Sequence, residues 1–373
     1  MSITYRRVWG NRSRHLGMSL VELAVVLALA VGVLAIVLQI FAGNKQSALM
    51  QETLGRMQEN ARIALQTLKE DIRLAGFSGE IQEYWNIDEA AAPQHLNASA
   101  ATGECFNTGS GGFRWVAPFI SVGAGPILIP PKLYGVDDMT NATIAPFTGC
   151  MASTGFIEGT DVLSVHYVGP DALTDSVVSL VPDTLYLRVN LFNGVVFRSN
   201  NTAPPGTANW SDGPNNFIYP LRAYTYYVRG CTDSGADALC DGDSGEDTVP
   251  ALVRKVLRDD GTVDTEVVAE GVVGFQVRYG VDTDASVDGI ADQYVDAGHA
   301  RLPSVMSSAN WDEWARIRTV RIWLLMRSSD KFAGYQDANS HYVLADTSIA
   351  TQAGYRYQLF VTTVALRNPS GDD

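Results

Sequence analysis

Hydrophobic and polar positions change rhythm twice along the chain. Residues 18–41 are an almost unbroken apolar run of about 24 residues in which Glu22 is the sole charge. At ~1.5 Å per helical residue such a run spans about 36 Å, enough to cross a hydrocarbon core of about 30 Å with some tilt. Past Gly43 the apolar positions fall to spacings of three and four: Leu54, Met57, Ala61, Leu65, Leu68, Ile72 and Ala75. That spacing draws one stripe along an amphipathic helix. Glu52 with Arg56, and Glu59 with Arg62, supply turn-to-turn pairs on its wet face. The two segments predict a single helix over 19–74, softened at Gly43 and closed by a glycine cap at Gly76.

From 77 to about 159 the pattern is loop-like, rich in Ala, Gly, Asn and Pro. Beyond it come short runs of Val, Leu, Tyr and Thr, several alternating with period two: 162–168, 185–189, 195–197, 223–229, 252–257, 272–279, 320–326 and 355–366. These read as strands. Hairpin-like spacing with no helical period between them predicts an antiparallel sheet, whose apolar face the amphipathic stripe would cover. The fold class is therefore α+β, a long N-terminal transmembrane and amphipathic helix packed on an antiparallel β-sheet head.

Charge gives the helix a direction. Arg6, Arg7, Arg12 and Arg14 precede the apolar run and no acid does. The positive-inside rule then keeps 1–17 in the cytoplasm and sends the rest across, once. The run is too long for an ordinary secretory signal, and Ala42-Gly43-Asn44 makes a poor cleavage box. Of the 373 residues about 330 lie beyond the membrane segment, enough for one sizeable domain or two small ones. The net charge of −14 becomes about −18 without the four arginines, and such a surface repels nucleic acid.

All four cysteines, Cys105, Cys150, Cys231 and Cys240, fall in the exported part. An even count in an oxidising compartment reads as two disulfides with three possible pairings. The local pair Cys231–Cys240 encloses a polar loop, and choosing it leaves Cys105–Cys150. A metal site is the rival reading, but C-x-x-C spacing is missing and no histidine stands close in sequence.

Glu22 asks for an explanation, since a carboxylate inside an apolar span costs a few kcal/mol in lipid unless it meets a partner. Cutting between Gly17 and Met18 would make it the fifth residue of the mature chain. A new α-amino group on a neighbouring identical helix could then neutralise it. The basic leader, Gly17, hydrophobic Met18, Glu22 and the full apolar span together resemble the class III leader of type IV prepilins and type II secretion pseudopilins. That resemblance implies a membrane-embedded prepilin peptidase cutting after Gly17, N-methylation of Met18, and Glu22 guiding the helix into a filament.

Later stretches are similar to PilW-type minor pilins of type IV pili: Arg56-Met57-Gln58-Glu59-Asn60-Ala61-Arg62, Asp71-Ile72-Arg73-Leu74-Ala75-Gly76-Phe77, Asp161-Val162-Leu163-Ser164-Val165, Tyr224-Thr225-Tyr226-Tyr227-Val228-Arg229, Gly274-Phe275-Gln276-Val277-Arg278-Tyr279-Gly280, Val320-Arg321-Ile322-Trp323-Leu324-Leu325-Met326-Arg327 and the closing Phe360-Val361-Thr362-Thr363-Val364-Ala365-Leu366-Arg367-Asn368. The resemblance runs from the leader to the end, with gaps at 78–160 and 200–220. It implies a leader at 1–17, a helix at 18–76 with 18–41 in the membrane, and a periplasmic head at 77–373 with a loop-rich insertion at about 78–160. It places the protein in the inner membrane of a Gram-negative cell and then at the pilus tip. Its partners would be other minor pilins, the major pilin and prepilin peptidase, in a tip or priming complex serving twitching, adhesion or DNA uptake. The J-type pseudopilin of type II secretion and a membrane-anchored periplasmic binding module are the alternatives.

Other chemistry is sparse in the pattern. Asp282, Asp284, Asp288 and Asp292 stand close together after a predicted strand, and closely spaced aspartates on a turn can offer the six to eight oxygens calcium takes. Counted from Asp282, however, Gly289 is eighth, where an EF-hand loop has its glycine sixth, so an acidic solvated hairpin loop competes with calcium. No cofactor is required by the sequence. The five histidines stand outside any H-E-x-x-H pattern, no serine sits in G-x-S-x-G, and the Gly109–Gly112 run lacks the Lys of a phosphate loop. The expectation is a protein that works by assembly and not as an enzyme.

Overall fold

A computed structural model describes residues 19–79, 106–107, 112–113, 132–140, 155–174, 180–181, 185–189, 194–198, 217–235, 240, 245–257, 263–284, 288–303 and 311–368. The elements in chain order are α1 (Leu20–Leu74), β1 (Phe106–Asn107), β2 (Gly112–Phe113), β3 (Leu133–Met139), β4 (Thr160–Val168), β5 (Leu173–Thr174), β6 (Leu185–Val189), β7 (Gly194–Arg198), β8 (Phe217–Arg229), β9 (Ala251–Leu257), β10 (Val263–Glu270), β11 (Val272–Val281), β12 (Gln293–Val295), α2 (Trp311–Ala315), β13 (Ile317–Arg327), β14 (His341–Leu344), β15 (Thr347–Ala350) and β16 (Tyr357–Ala365).

The chain divides into two compact units, Met1–Leu54 and Gly55–Asp373. In the first unit the described residues are all helical after Ser19, and every one up to Leu49 is exposed. α1 passes unbroken through Gly32 and Gly43, so the weak helix propensity of glycine does not interrupt it. It ends where Gly76 takes a φ of 77°, a left-handed conformation suited to the residue after a helix.

The second unit holds two principal antiparallel sheets where the sequence pattern suggested one. The larger runs β10-β9-β8-β4-β3, with β5, β6 and β7 joined through β8. The smaller runs β12-β11-β13-β16. Met57, Ala61, Ala64, Leu68, Ile72 and Ala75 enter one core with Val165, Tyr226, Val253, Phe275, Ile322 and Leu324. The predicted stripe is thus the buried face of the Gly55–Leu74 part of the helix, with Ala64 added and Leu65 only partly buried. Burying Met57, Leu68 and Ile72 contributes roughly 5–8 kcal/mol before ordering costs. On the wet face Arg62 Nε donates to Glu59 Oε2 at 2.9 Å.

α2 seats Trp314 between Tyr134 and Tyr279, ring centroids 5.1 and 5.4 Å away. Tyr279 in turn lies where a side chain at Gly135 would be, so β3 approaches it only because residue 135 is glycine. β3 falls inside the stretch expected to be loop. Its Gly135 and its Asp137-Asp138 pair are poor strand formers, and the strand exists because β4 pairs with it.

Candidate functional site

In the first unit the candidate residue Glu22 and the apolar run lie on one helical segment. Fifteen large apolar side chains between Leu20 and Phe41 are exposed, Leu20 to 83% and Phe41 to 67%. At about 1.5–3 kcal/mol each, leaving them in water would cost tens of kcal/mol, more than the 5–15 kcal/mol that holds a typical domain folded. Lipid or neighbouring apolar helices must cover them, and the segment's length and hydropathy fit a single-pass membrane anchor. Glu22 stands in the first turn of α1, where a carboxylate complements the helix dipole. Gly17 and Met18 lie outside the described residues.

In the second unit the helix is held by charge as well as by apolar packing. Asp71, on the buried side of α1 between Leu68 and Ala75, accepts hydrogen bonds from the Tyr167 hydroxyl on β4 (2.7 Å) and from the Tyr226 hydroxyl on β8. Arg254 on β9 reaches Asp71 Oδ2 at 3.4 Å while its Nε donates to Glu266 of β10 at 3.0 Å. Its guanidinium also lies 4.5 Å from the centre of the Tyr224 ring. Burial pushes the Asp71 carboxyl above the ordinary carboxylate range, and the two hydroxyls and Arg254 pull it part of the way back. One helix position is thereby tied to four consecutive strands of the larger sheet.

A second acidic group joins the two sheets. Asp161 is 2% exposed; its Oδ1 accepts from the Asp138 amide (3.0 Å) and its Oδ2 from the Val277 amide (2.6 Å). Asp138, in a left-handed conformation at φ 42°, accepts from Gln276 Nε2 (3.1 Å) and Thr347 Oγ1 (3.0 Å). Strands β3, β4, β11 and β15 are stitched through these two carboxylates. Carboxylate oxygens of Asp137, Asp138 and Asp346 lie within 4.8 Å of one another. Burial and the charges of Asp138, Asp296 and Asp346 push Asp137 up to about 7, against the pull of Arg278.

The residues expected to offer calcium ligands occupy the loop between β11 and β12. Asp282 is fully buried; its Oδ2 accepts from the Gly289 amide (2.8 Å) and lies 3.4 Å from Arg318 Nε. Burial raises its carboxyl, and the Gly289 amide and Arg318 more than offset that, so the carboxyl ends below the ordinary range. Asp292 accepts from the Thr283 amide (2.7 Å) and hydroxyl (3.2 Å), and Asp288 from the Ile290 amide (2.8 Å). Asp284 is raised, first by Asp292, because the loop crowds like charges around it. Asp282 thus has a built-in counter-charge, and the expectation of calcium over Asp282, Asp284, Asp288 and Asp292 rests on the sequence pattern.

Cys231 and Cys240 form a disulfide, Cα atoms 5.6 Å apart. Cys105 and Cys150 lie outside the described residues. Beside the bridge, Asp247 gathers the Thr232 hydroxyl and the amides of Thr232 (2.9 Å), Asp233 (2.9 Å) and Val249 (2.8 Å). Burial opposes the charged form there, but these donors outweigh it and hold the carboxyl at about 2.

Asp71 and Asp161 were absent from the sequence-based candidates, although signals existed for both. Asp71 sits three residues after Leu68 and four before Ala75, on the stripe itself. Asp161 is the second residue of a strand whose next seven residues are all buried.

Comparison with curated proteins and with solved structures gave no significant match. Residues 225–368, from within β8 to just past β16, match the family PilW, described as Type IV Pilus-assembly protein W. That stretch contains the smaller sheet, the disulfide loop and Arg254 of the helix-holding network, and over it the chain is similar to PilW-type type IV pilus proteins.

Proposed function

We propose that the protein is a minor subunit of the type IV pilus. It is held in the inner membrane by the apolar part of α1 until it joins other minor pilins and the major pilin in a tip or priming complex. The observation that supports this reading best is the exposed apolar helix carrying one carboxylate near its start, in a chain whose C-terminal part belongs to a pilus-assembly family. Prepilin peptidase would cut after Gly17, leaving Glu22 as the fifth residue. Glu22 then pairs with the freed amine of a neighbouring helix, and helix packing keeps lipid away from the pair. A head of about 300 residues is bulky for a repeating shaft subunit, which favours low copy number and the tip. The protein acts here by assembly, with twitching, adhesion or DNA uptake as downstream outcomes and no catalytic step of its own.

The test is replacement of Glu22 by Ala in the native host. Membrane insertion and protein level should stay at wild-type values while surface pili fall severalfold. Normal piliation would overturn the docking role. Intact pili with lost exoprotein secretion in a deletion strain would assign the chain to a type II pseudopilus instead.

A further inference from the structure

Several strands that end a sheet carry features that discourage further pairing. β10 bears Asp264, Glu266 and Glu270 and a register shift between Val267 and Ala269. β3 bears Asp137 and Asp138 and a shift between Val136 and Met139. β12 is three residues long. Charges, bulges and shortness are common ways of keeping an edge from pairing with another chain. β16 has none of them: its nine residues, YQLFVTTVA, hold unbroken register with β13 and contain neither charge nor proline.

The ladder fixes which backbone groups of β16 face outward. Leu366 N donates to Arg318 O (2.9 Å), and Ser328 N donates to Arg356 O (2.8 Å), at the two ends of the pairing. Residues bonded to the neighbour alternate with residues whose N–H and C=O point away. Even-numbered positions therefore face β13, and Tyr357, Leu359, Val361, Thr363 and Ala365 face outward. At Tyr357 these groups are taken, its amide donating to Asp337 Oδ2 (2.9 Å) and its carbonyl accepting from the Tyr342 hydroxyl (3.3 Å). For the next four outward residues no strand lies beyond β16 among the described residues. The side chains of Val361, at 52% exposure, Thr363 and Ala365 are open.

We propose that the outer edge of β16, residues 359–365, receives an extended segment of another pilus subunit by strand addition, and that this segment is uncharged at its centre and acidic at its ends. Backbone hydrogen bonds supply affinity in this mode, and flanking side chains supply specificity. The charge requirement comes from Arg356 and Arg367, which bracket the strand, and from Arg321 on β13, a basic locality in a chain of net charge −14. A second copy is disfavoured as the occupant. Antiparallel self-pairing through the outward odd-numbered residues, centred on Val361, sets Arg356 of one copy opposite Leu366 of the other and so gathers Arg356 and Arg367 at each end of the pair, where like charges repel. The partner's being a pilus subunit rests on the proposed function; the open edge does not.

The experiment uses the full chain in detergent and two synthetic peptides, seven alternating Val and Thr residues flanked by two Asp or by two Lys at each end. The Asp-flanked peptide should slow amide exchange at least tenfold at Leu359, Val361, Thr363 and Ala365 while leaving Phe360 and Thr362 unchanged. It should also bind at least tenfold more tightly than the Lys-flanked peptide. Val361→Pro removes an N–H that pairs with no strand among the described residues, at an edge position where proline is tolerated. It should unfold within a few degrees of wild type and lose at least tenfold in peptide binding. The exchange measurement on the unaltered protein stands even if the variant misfolds. Slow exchange at the four outward amides without peptide, equal binding of the two peptides, or a dimer that Val361→Pro dissolves would each overturn the proposal. A mature protein that keeps residues 1–17 would remove the pilus reading and leave the edge result intact.

Discussion

Removing the Asp71 carboxylate should be among the most costly single changes on α1. Asp71→Ala leaves the Tyr226 hydroxyl, fully buried, and the Tyr167 hydroxyl, on a side chain 7% exposed, without their acceptor. Each stranded buried hydroxyl costs about 1–3 kcal/mol. Arg254 loses one of two carboxylates but keeps Glu266 at 3.0 Å, so the loss of charge pairing is partial. Breaking a buried ionic contact costs about 3–5 kcal/mol when nothing replaces it. With Glu266 retained and the terms not additive, about 3–4 kcal/mol is expected for Asp71→Ala. Asp71→Asn keeps one acceptor and should lose about 1–2 kcal/mol, and combining it with Tyr226→Phe should show a coupling of about 1–2 kcal/mol. Guanidinium unfolding of the full chain in detergent, followed by tryptophan fluorescence, reads these values, Trp314 being fully buried. An Asp71→Ala loss below about 0.5 kcal/mol would show that apolar packing alone holds the helix and that the network contributes nothing.

Asp137, raised from the ordinary 3.8 to about 7, binds a proton in the folded state at pH values where the unfolded chain has released it. Its contribution to stability therefore falls as pH rises from about 4 to about 7. Asp137→Asn should stabilise the protein by roughly 2–4 kcal/mol at pH 8 and flatten that slope between pH 4.5 and 8, read as melting temperature; an unchanged slope would refute it. Gly135→Ala puts a methyl group against the Tyr279 hydroxyl and 3.1 Å from the Val162 carbonyl, both fixed by the core, and should cost about 1–3 kcal/mol in the same denaturation assay. Replacing Cys231 and Cys240 with serine opens a short loop and should cost about 2–3 kcal/mol, measured against the reduced wild type as control; equal stability of the two oxidised proteins would contradict it.

The helix was legible because its information is local. An apolar run with a single charge, followed by a three-and-four spacing, fixes α1 to within one residue of its start, and Gly76 marks its end. β4, β6, β7, β8, β9, β11, β13 and β16 were legible for the same reason, as with β13, whose Val320 and Ile322 alternate with half-buried neighbours. What stayed hidden depends on partners distant in the chain. β3 looks like loop until β4 pairs with it, and β10 carries three acids that alternation alone reads as surface. Division into two sheets could not be seen, because β11 and β8 have similar patterns and only their pairings separate them. Asp71 gains meaning from Tyr167, Tyr226 and Arg254, which lie 96, 155 and 183 residues further on. The PilW resemblance rested on short motifs, and those from Tyr224 onward coincide with the matched stretch to within a residue.

The assembly account depends on what stands at the start of the mature chain, and intact-mass spectrometry of the protein purified from its native host reads that directly. The account predicts a polypeptide beginning at Met18 with one added methyl group, which brings a free amine within a helical turn of Glu22. A chain that still carries Arg6, Arg7, Arg12 and Arg14 ahead of the apolar helix would contradict it and leave a tethered domain with no route into a filament.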